Sequence, residues 1–446
     1  MQVRMRAPNT RVSTLGQSIA MAALQDPKEL VCGLTLPNRF VKAAMSEKMD
    51  NGSNIPPDDL LRIYKEWSKG RWGMLITGSI HHSHDPFCAP LTLVTGNVHV
   101  DPAHLGAKGD FSIDGTRLSE PAYKEGWRKW ADACETPVIL QINHPGRQSA
   151  RAAGTRGPFA PAVAPSAIPL DFGSGILQRL LRALAFGSPR ELTTEEVEEI
   201  IEKFVQAAKF AYESGFSGVE VHAAHGYLLA QFMSSRTNTR TDGYGGSPSK
   251  RAEAAVQILR RVRAATSPTF CVGLKLNSAD MDQSGDTSED FLEQLQLLVE
   301  CGIDFLEISG GSYENPTMSN GANDTTTNRS ASTVRREAFF LSFASIIREK
   351  YPSLPLIVTG GFRTLGGMED AVKTGQCDFV GLGRPAVMTP HAPTELLNSE
   401  DLTAKLRAPS VDMEWWKKWL RVRALGASTE TVSRPLLLRM DVAANL

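Results

Sequence analysis

Two histidines three residues apart, His222 and His225, stand where a short apolar run, Gly218-Val219-Glu220-Val221, comes to an end, and Tyr227 follows close behind. Imidazole N–H groups can hold an oxygen on which negative charge builds, and a phenol can deliver a proton beside it. Taken alone, the pair reads equally well as two structural histidines. Lys275, within Val272-Gly273-Leu274-Lys275-Leu276, offers either a fixed positive charge or an amine nucleophile able to form an imine. Two glycine turns, Gly360-Gly361 and Gly383-Arg384, can present bare backbone N–H groups and a guanidinium to a phosphate dianion. The run His81-His82-Ser83-His84-Asp85 looks like a metal cluster, but its spacing is loose, and no metal is expected there.

The elements that must position these groups follow from periodicity. Eight apolar runs bounded by turn residues read as strands: Arg39–Ala44, Met74–Gly78, Val138–Asn143, Gly218–His222, Phe270–Leu276, Phe305–Ser309, Leu356–Gly360 and Phe379–Gly383. Amphipathic helical patterns lie between them at Asp58–Lys69, Glu120–Cys134, Thr193–Ser214, Ser249–Ala265, Ser288–Cys301, Val334–Lys350 and Gly367–Thr374. Strand–helix alternation repeated eight times predicts a (β/α)₈ barrel, an α/β fold whose strand C-termini face the active site. An open doubly wound sheet is the weaker alternative, because no GxGxxG opens a first βα unit. The domain plan is a flexible arm over residues 1–27, a barrel over 28–405, and a helical tail over 406–446. That tail carries Trp415, Trp416 and Trp419, a surface for packing on the barrel or on a partner subunit in a homo-oligomer. Ile176–Leu184 reads as a short apolar helix that packs on its own domain, with a lid or a lipid contact as the alternative, and Gly310–Thr333 as a long polar loop at the barrel mouth.

Charge is nearly balanced, with 48 Lys+Arg against 49 Asp+Glu, which leaves no electrostatic footprint for nucleic acid. No apolar run reaches membrane-spanning length. Six cysteines are scattered without a CxxC pair, which fits a reducing, cytoplasmic setting. Arg4, Arg6 and Arg11 precede the first acid, Asp26, and the arm is read as flexible rather than as a targeting segment.

The stretch from His222 to Ser247, HAAHGYLLAQFMSSRTNTRTDGYGGS, resembles the old yellow enzyme family of flavin-dependent ene-reductases. Gln141-Ile142-Asn143-His144-Pro145-Gly146-Arg147 is similar to that family's QLxHxGR signature, and matches recur in family order across most of the chain. The resemblance implies FMN held without a covalent bond, reduced by NADPH or NADH. It places Ala44, Met45 and Ser46 beside the flavin, with Ser46 where Thr or Cys is usual and Lys48 where one class carries Tyr. Gly78 would allow close backbone approach to the ring. Gln141 would pair with the pyrimidine edge, and Lys275, where Arg is usual, would stand beside N1 and O2. Gly360, Gly361, Gly383 and Arg384 would hold the phosphate. His222 and His225 would bind the carbonyl oxygen of a small activated alkene while hydride arrives from flavin N5, and Tyr227 would protonate its α-carbon. The reaction implied is reduction of the C=C bond of α,β-unsaturated carbonyl compounds. A redox-neutral isomerase or a biosynthetic tailoring enzyme could keep all of these residues, and the rivals without flavin are a Schiff-base lyase using Lys275 and a metal-dependent hydrolase.

Overall fold

Parallel pairing runs through eight strands and returns to its start. The computed structural model describes residues 22–80, 98–173, 175–277, 286–309, 341, 343–399 and 401–406. The strands are β1 (Phe40–Lys42), β2 (Met74–Ile76), β3 (Val138–Asn143), β4 (Gly218–Ala223), β5 (Cys271–Asn277), β6 (Phe305–Ser309), β7 (Leu356–Thr359) and β8 (Phe379–Leu382). Each pairs with its neighbours in sequence order, and β8 closes on β1 through Val380↔Phe40 and Gly381↔Val41. The sheet is therefore a barrel, which disposes of the open-sheet alternative. Helices α1 (Asp58–Lys69), α2 (Pro121–Asp132), α3 (Thr194–Glu213), α4 (Pro248–Ala265), α5 (Ser288–Val299) and α6 (Leu365–Lys373) alternate with the strands, close to the expected bounds.

Alternation along each strand divides its residues between two cores. Outward side chains meet the helices. In α3 a Thr193–Glu196 capping box fixes the start, and Val197, Ile200, Ile201 and Phe204 then fall on the face turned to the barrel. Inward side chains build layers. The lowest is apolar: Val41, Met74, Ile139, Cys271, Phe305, Ile357 and Phe379 form a cluster of their own. A hairpin pairing Lys28–Glu29 with Thr35–Leu36 adds Leu30 and Leu36 to that cluster and seals the floor. Further up the strands the interior turns polar, with Gln141, Glu220, Lys275, Glu307 and Thr359 all buried. Gly273 lies in this band because a Cβ there would sit 2.0 Å from the Phe305 ring. One more step brings Asn143, His222, Asn277 and Ser309 to the strand C-termini.

Two expectations need correction. The packed body begins before residue 28: Ala22–Gln25 form a helical turn, Leu24 is buried, and the Ala23 and Leu24 N–H groups donate to the Glu369 carboxylate. The helix Ile176–Ala185 exists, yet none of its residues is buried, and Ile176 is 88% exposed. Only Leu181 and Ala185 lean on the small cluster of Leu170 and Phe186, so the rest of its apolar face points away from the domain. The His81–Asp85 run, the loop after Gly310 and the tryptophans of the tail lie outside the described residues. No helix among the described residues is long and apolar enough to cross a membrane.

Candidate active site

The end of β4 makes an abrupt turn. His225 takes φ 58° and Gly226 φ 71°, two consecutive left-handed residues, the first of them unfavourable for a side chain with a Cβ. Two glutamines hold the turn by its carbonyls. Gln148 donates to the His225 and Gly226 oxygens, and Gln231 donates to the Gly226 oxygen at 2.7 Å. The result is that three rings gather: His222 lies 4.9 Å from both His225 and Tyr227, centroid to centroid, in edge-on arrangements. The His222 Nδ1 accepts from the Ala224 N–H at 3.1 Å, which assigns the ring proton to Nε2. His225 Nε2 stands 3.0 Å from the Ser309 hydroxyl of β6. Burial pushes the His222 pKa well down, and burial together with the Lys275 charge pushes His225 down to about 3. Both imidazoles are neutral at physiological pH, suited to hydrogen bonding rather than to ion pairing.

Below them lies the charged layer. The Lys275 ammonium donates to Glu307 Oε1 at 2.7 Å, and Gln141 Nε2 donates to Glu220 Oε2 at 2.9 Å. Burial and the neighbouring Glu307 raise the Glu220 pKa well above the usual carboxylate range. Burial alone would raise Glu307 as well, but the Lys275 ammonium holds it below its ordinary value. An ion-paired ammonium is not a free amine, so this arrangement gives no support to imine chemistry at Lys275.

The residues expected around a cofactor divide by strand. Ala44 and Met45 follow β1, and Ser46–Lys48 then pairs in parallel with Ser79–Ile80, Ser46 opposite Ser79. Gly78 has no room for a side chain, because its Cβ would lie 1.6 Å from the Met45 carbonyl oxygen. The Met45 side chain reaches to within 3.8 Å of the space above Gly383. β7 and β8 are paired through Thr359↔Gly381, so Gly360 and Gly361 emerge beside Gly383 and Arg384 on the same end of the barrel. Gly360 and Gly361 adopt φ 121° and 82°, open to glycine and strained for other residues. Whether these residues fit FMN can be judged from Asn143. It is 0% exposed at the upper end of β3, and neither its Oδ1 nor its Nδ2 has a partner among the described residues. A buried amide left unpaired beside Gln141, Lys275 and His222 suits the polar edge of a ring seated on them. The residues fit.

Several participants carried no clear signal in the chain. Ser309, Gln148 and Gln231 act through contacts between distant segments. Glu220 and Glu307 did leave a mark, each being a lone acid inside a run of buried strand residues. A further cluster joins Asp101, His104 and His144, whose ligand-type atoms lie within 4.8 Å of one another. The Asp101 carboxylate is already met by His104 Nδ1 at 3.0 Å and the Lys203 ammonium at 3.0 Å, while the Gly146 N–H donates to His144 Nδ1. The group ties the segment after Val98–His99 to α3 and to the end of β3.

Known proteins resemble this chain over most of its length. A family model described as the NADH:flavin oxidoreductase / NADH oxidase family matches residues 98–400. The chain is 42% identical over 413 residues to the NADH-dependent flavin oxidoreductase iliE of Neonectria sp., covering 90% of this chain and 51% of that longer protein. It is 41% identical over 413 residues to the protein of the same name from Hypocrea jecorina, covering 91% and 98% of the two chains. A cinnamate reductase of Clostridium sporogenes is 27% identical over 396 residues, 84% of this chain and 52% of the relative. Among solved structures, morphinone reductase superposes with a TM-score of 0.63 at 24% identity, over 87% of this chain and 91% of that one. The matched family and the length of the alignment to the Hypocrea protein leave one conclusion: the chain belongs to the old yellow enzyme family of NADH:flavin oxidoreductases and is an NAD(P)H-dependent, FMN-using enzyme.

Proposed function

We propose that the enzyme reduces the C=C bond of α,β-unsaturated carbonyl compounds, with NADH as the reductant. The observation that carries this reading is the gathering of two neutral, buried imidazoles and a phenol at the end of β4. FMN, when bound, supplies hydride to the alkene β-carbon. The protein's own part is to receive the charge that this hydride displaces. His222 Nε2–H and the His225 ring would hydrogen-bond the substrate's carbonyl oxygen as negative charge accumulates there. They do so without a charge of their own, so the ground-state carbonyl is not bound tightly in advance. Tyr227 is 3% exposed with its ring beside the same imidazoles, and its hydroxyl would supply the proton to the α-carbon as general acid. Lys275, Gln141 and Asn143 would hold the polar edge of the flavin, and Gly360, Gly361, Gly383 and Arg384 its phosphate. The cinnamate reductase among the relatives supports an activated alkene as the acceptor class, and the relatives named NADH-dependent support NADH.

The test is anaerobic turnover with NADH and with NADPH against a panel of enones, enals and α,β-unsaturated acids, with product analysis. Saturated carbonyl products with NADH preferred support the reading. An enzyme whose flavin is reduced by NADH but reoxidised by none of the panel would refute it.

A further inference from the structure

Two carboxyl groups and one ammonium share the charged layer, and none of them reaches water: Glu220 and Glu307 are 0% exposed and Lys275 2%. Each acid has one oxygen accounted for. Glu307 Oε1 accepts from Lys275, and Glu220 Oε2 accepts from Gln141. The remaining two, Glu220 Oε1 and Glu307 Oε2, are both buried and without a donor. They belong to carboxyl groups in side-chain contact with each other. Two ionised carboxylates only accept hydrogen bonds; the Thr359 hydroxyl can turn to the free oxygen of Glu307, but Glu220 Oε1 then has no donor and like charges meet in a dry interior. One proton between them resolves the orphans and the charge together. The groups facing Glu220 from each packed strand are Gln141 on β3, Lys275 on β5, Glu307 on β6, Thr359 beside Glu307 on β7, and the neutral His222 above it on its own strand. A single cation among them can balance a single anion.

We propose that Glu220 is a carboxylic acid in the working enzyme, donating its proton to Glu307, and that this acid–anion pair positions the Lys275 ammonium under the cofactor. The link to the cofactor rests on the reading of Lys275 given above; the proton does not. Glu220 is then a positioning residue. Its proton occupies the far oxygen of Glu307, Glu307 keeps Lys275 on its near oxygen, and two of the three ammonium N–H groups are left for the ring above. The layer as a whole is neutral, with one positive and one negative charge.

Infrared difference spectroscopy on the apoprotein at neutral pH tests the proton. The wild type minus Glu220→Gln spectrum should show a carboxylic-acid carbonyl stretch that shifts in D₂O, and labelling glutamate with ¹³C at the side-chain carboxyl should move it. The labelled wild type alone suffices if the variant does not fold: no glutamic-acid band overturns the proposal. Redox titration of the FMN-loaded proteins tests the consequence. Glutamine can donate to Glu307 as the acid does, so Glu220→Gln should leave the potential unchanged and the FMN Kd within about twofold. Glu307→Gln strips Lys275 of its anion and should raise the potential and tighten binding of reduced FMN about tenfold or more. A raised potential in Glu220→Gln would mean that Glu220 had been ionised, and would overturn the assignment. An unchanged potential in Glu307→Gln would overturn the link to the cofactor while the apoprotein band still decides the proton. Failure to bind FMN at all would refute the cofactor reading and leave the infrared result standing.

Discussion

Removing one oxygen atom should separate the two halves of the catalytic cycle. In Tyr227→Phe the ring that packs 4.9 Å from His222 is kept, so the packing of the β4 turn is preserved and only the proton donor is lost. General acid catalysis by a placed side chain is worth roughly 10²–10⁴-fold. Tyr227 is 3% exposed, and substrate bound over it would shut out water as a substitute donor. The loss should therefore be at least about a hundredfold, or about 2.7 kcal/mol of barrel-face transition-state stabilisation at 1.36 kcal/mol per decade. Reduction of the flavin by NADH requires no proton at that position and should change by less than about threefold. Anaerobic stopped-flow absorbance of the flavin reads both: bleaching with NADH, then recovery with an enone such as 2-cyclohexenone. An equal loss in both halves would show Tyr227 to be structural. An unaffected recovery would show that the proton comes from another group.

His222→Ala should slow reoxidation by an enone ~100-fold or more, the ~2.7–4 kcal/mol typical of a lost charge-stabilising donor; recovery within tenfold of wild type would remove it from that role. Lys275→Met leaves Glu307 without its cation, so the flavin potential should fall and FMN should dissociate more readily, as read by redox titration and by cofactor retained on gel filtration. Gly226→Ala puts a Cβ on a residue at φ 71°, and should cost ~1–2 kcal/mol in denaturant stability, with activity lost through displacement of His225 and Tyr227. His225 is held neutral down to about 3 against an ordinary 6.5, so folding excludes a proton that the unfolded chain takes up. Apoprotein stability should be complete above about 6.5 and fall by ~1.4 kcal/mol per pH unit for this residue as pH drops towards 3, and His225→Ala should flatten that slope.

The barrel was readable because each strand is a short apolar run between turn signals and each helix keeps a 3.6-residue period. His222, His225 and Tyr227 could be found because six consecutive residues at one turn bring them together, so that local spacing already encodes their meeting. Ser309 could not, since its partner His225 is 84 residues away and only the closed ring brings β6 across to β4. Glu220 and Glu307 are masked by the apolar pattern that marks their strands, in which each acid is a single interruption. A carboxyl between Val219 and Val221, or between Leu306 and Ile308, is the stronger signal, since burying one without a partner costs several kcal/mol. The helix Ile176–Ala185 shows the opposite limit. Its amphipathic period was legible, whereas the direction its apolar side faces depends on a fold that periodicity does not contain.

The seam between β8 and β1 has a consequence for how the molecule is made. Phe40–Lys42 leaves the ribosome long before the strand that must pair with it, Phe379–Leu382. At roughly 5–20 residues per second the interval is on the order of tens of seconds. Through that time one backbone edge of β1 has no partner, and the Leu30–Leu36 hairpin has no complete socket. Throughout that interval the nascent barrel is an open sheet with an exposed edge. Gly383 and Arg384 follow the closing strand directly, so phosphate capture through them waits for the seam, and FMN would act as a late inspector that retains only finished rings.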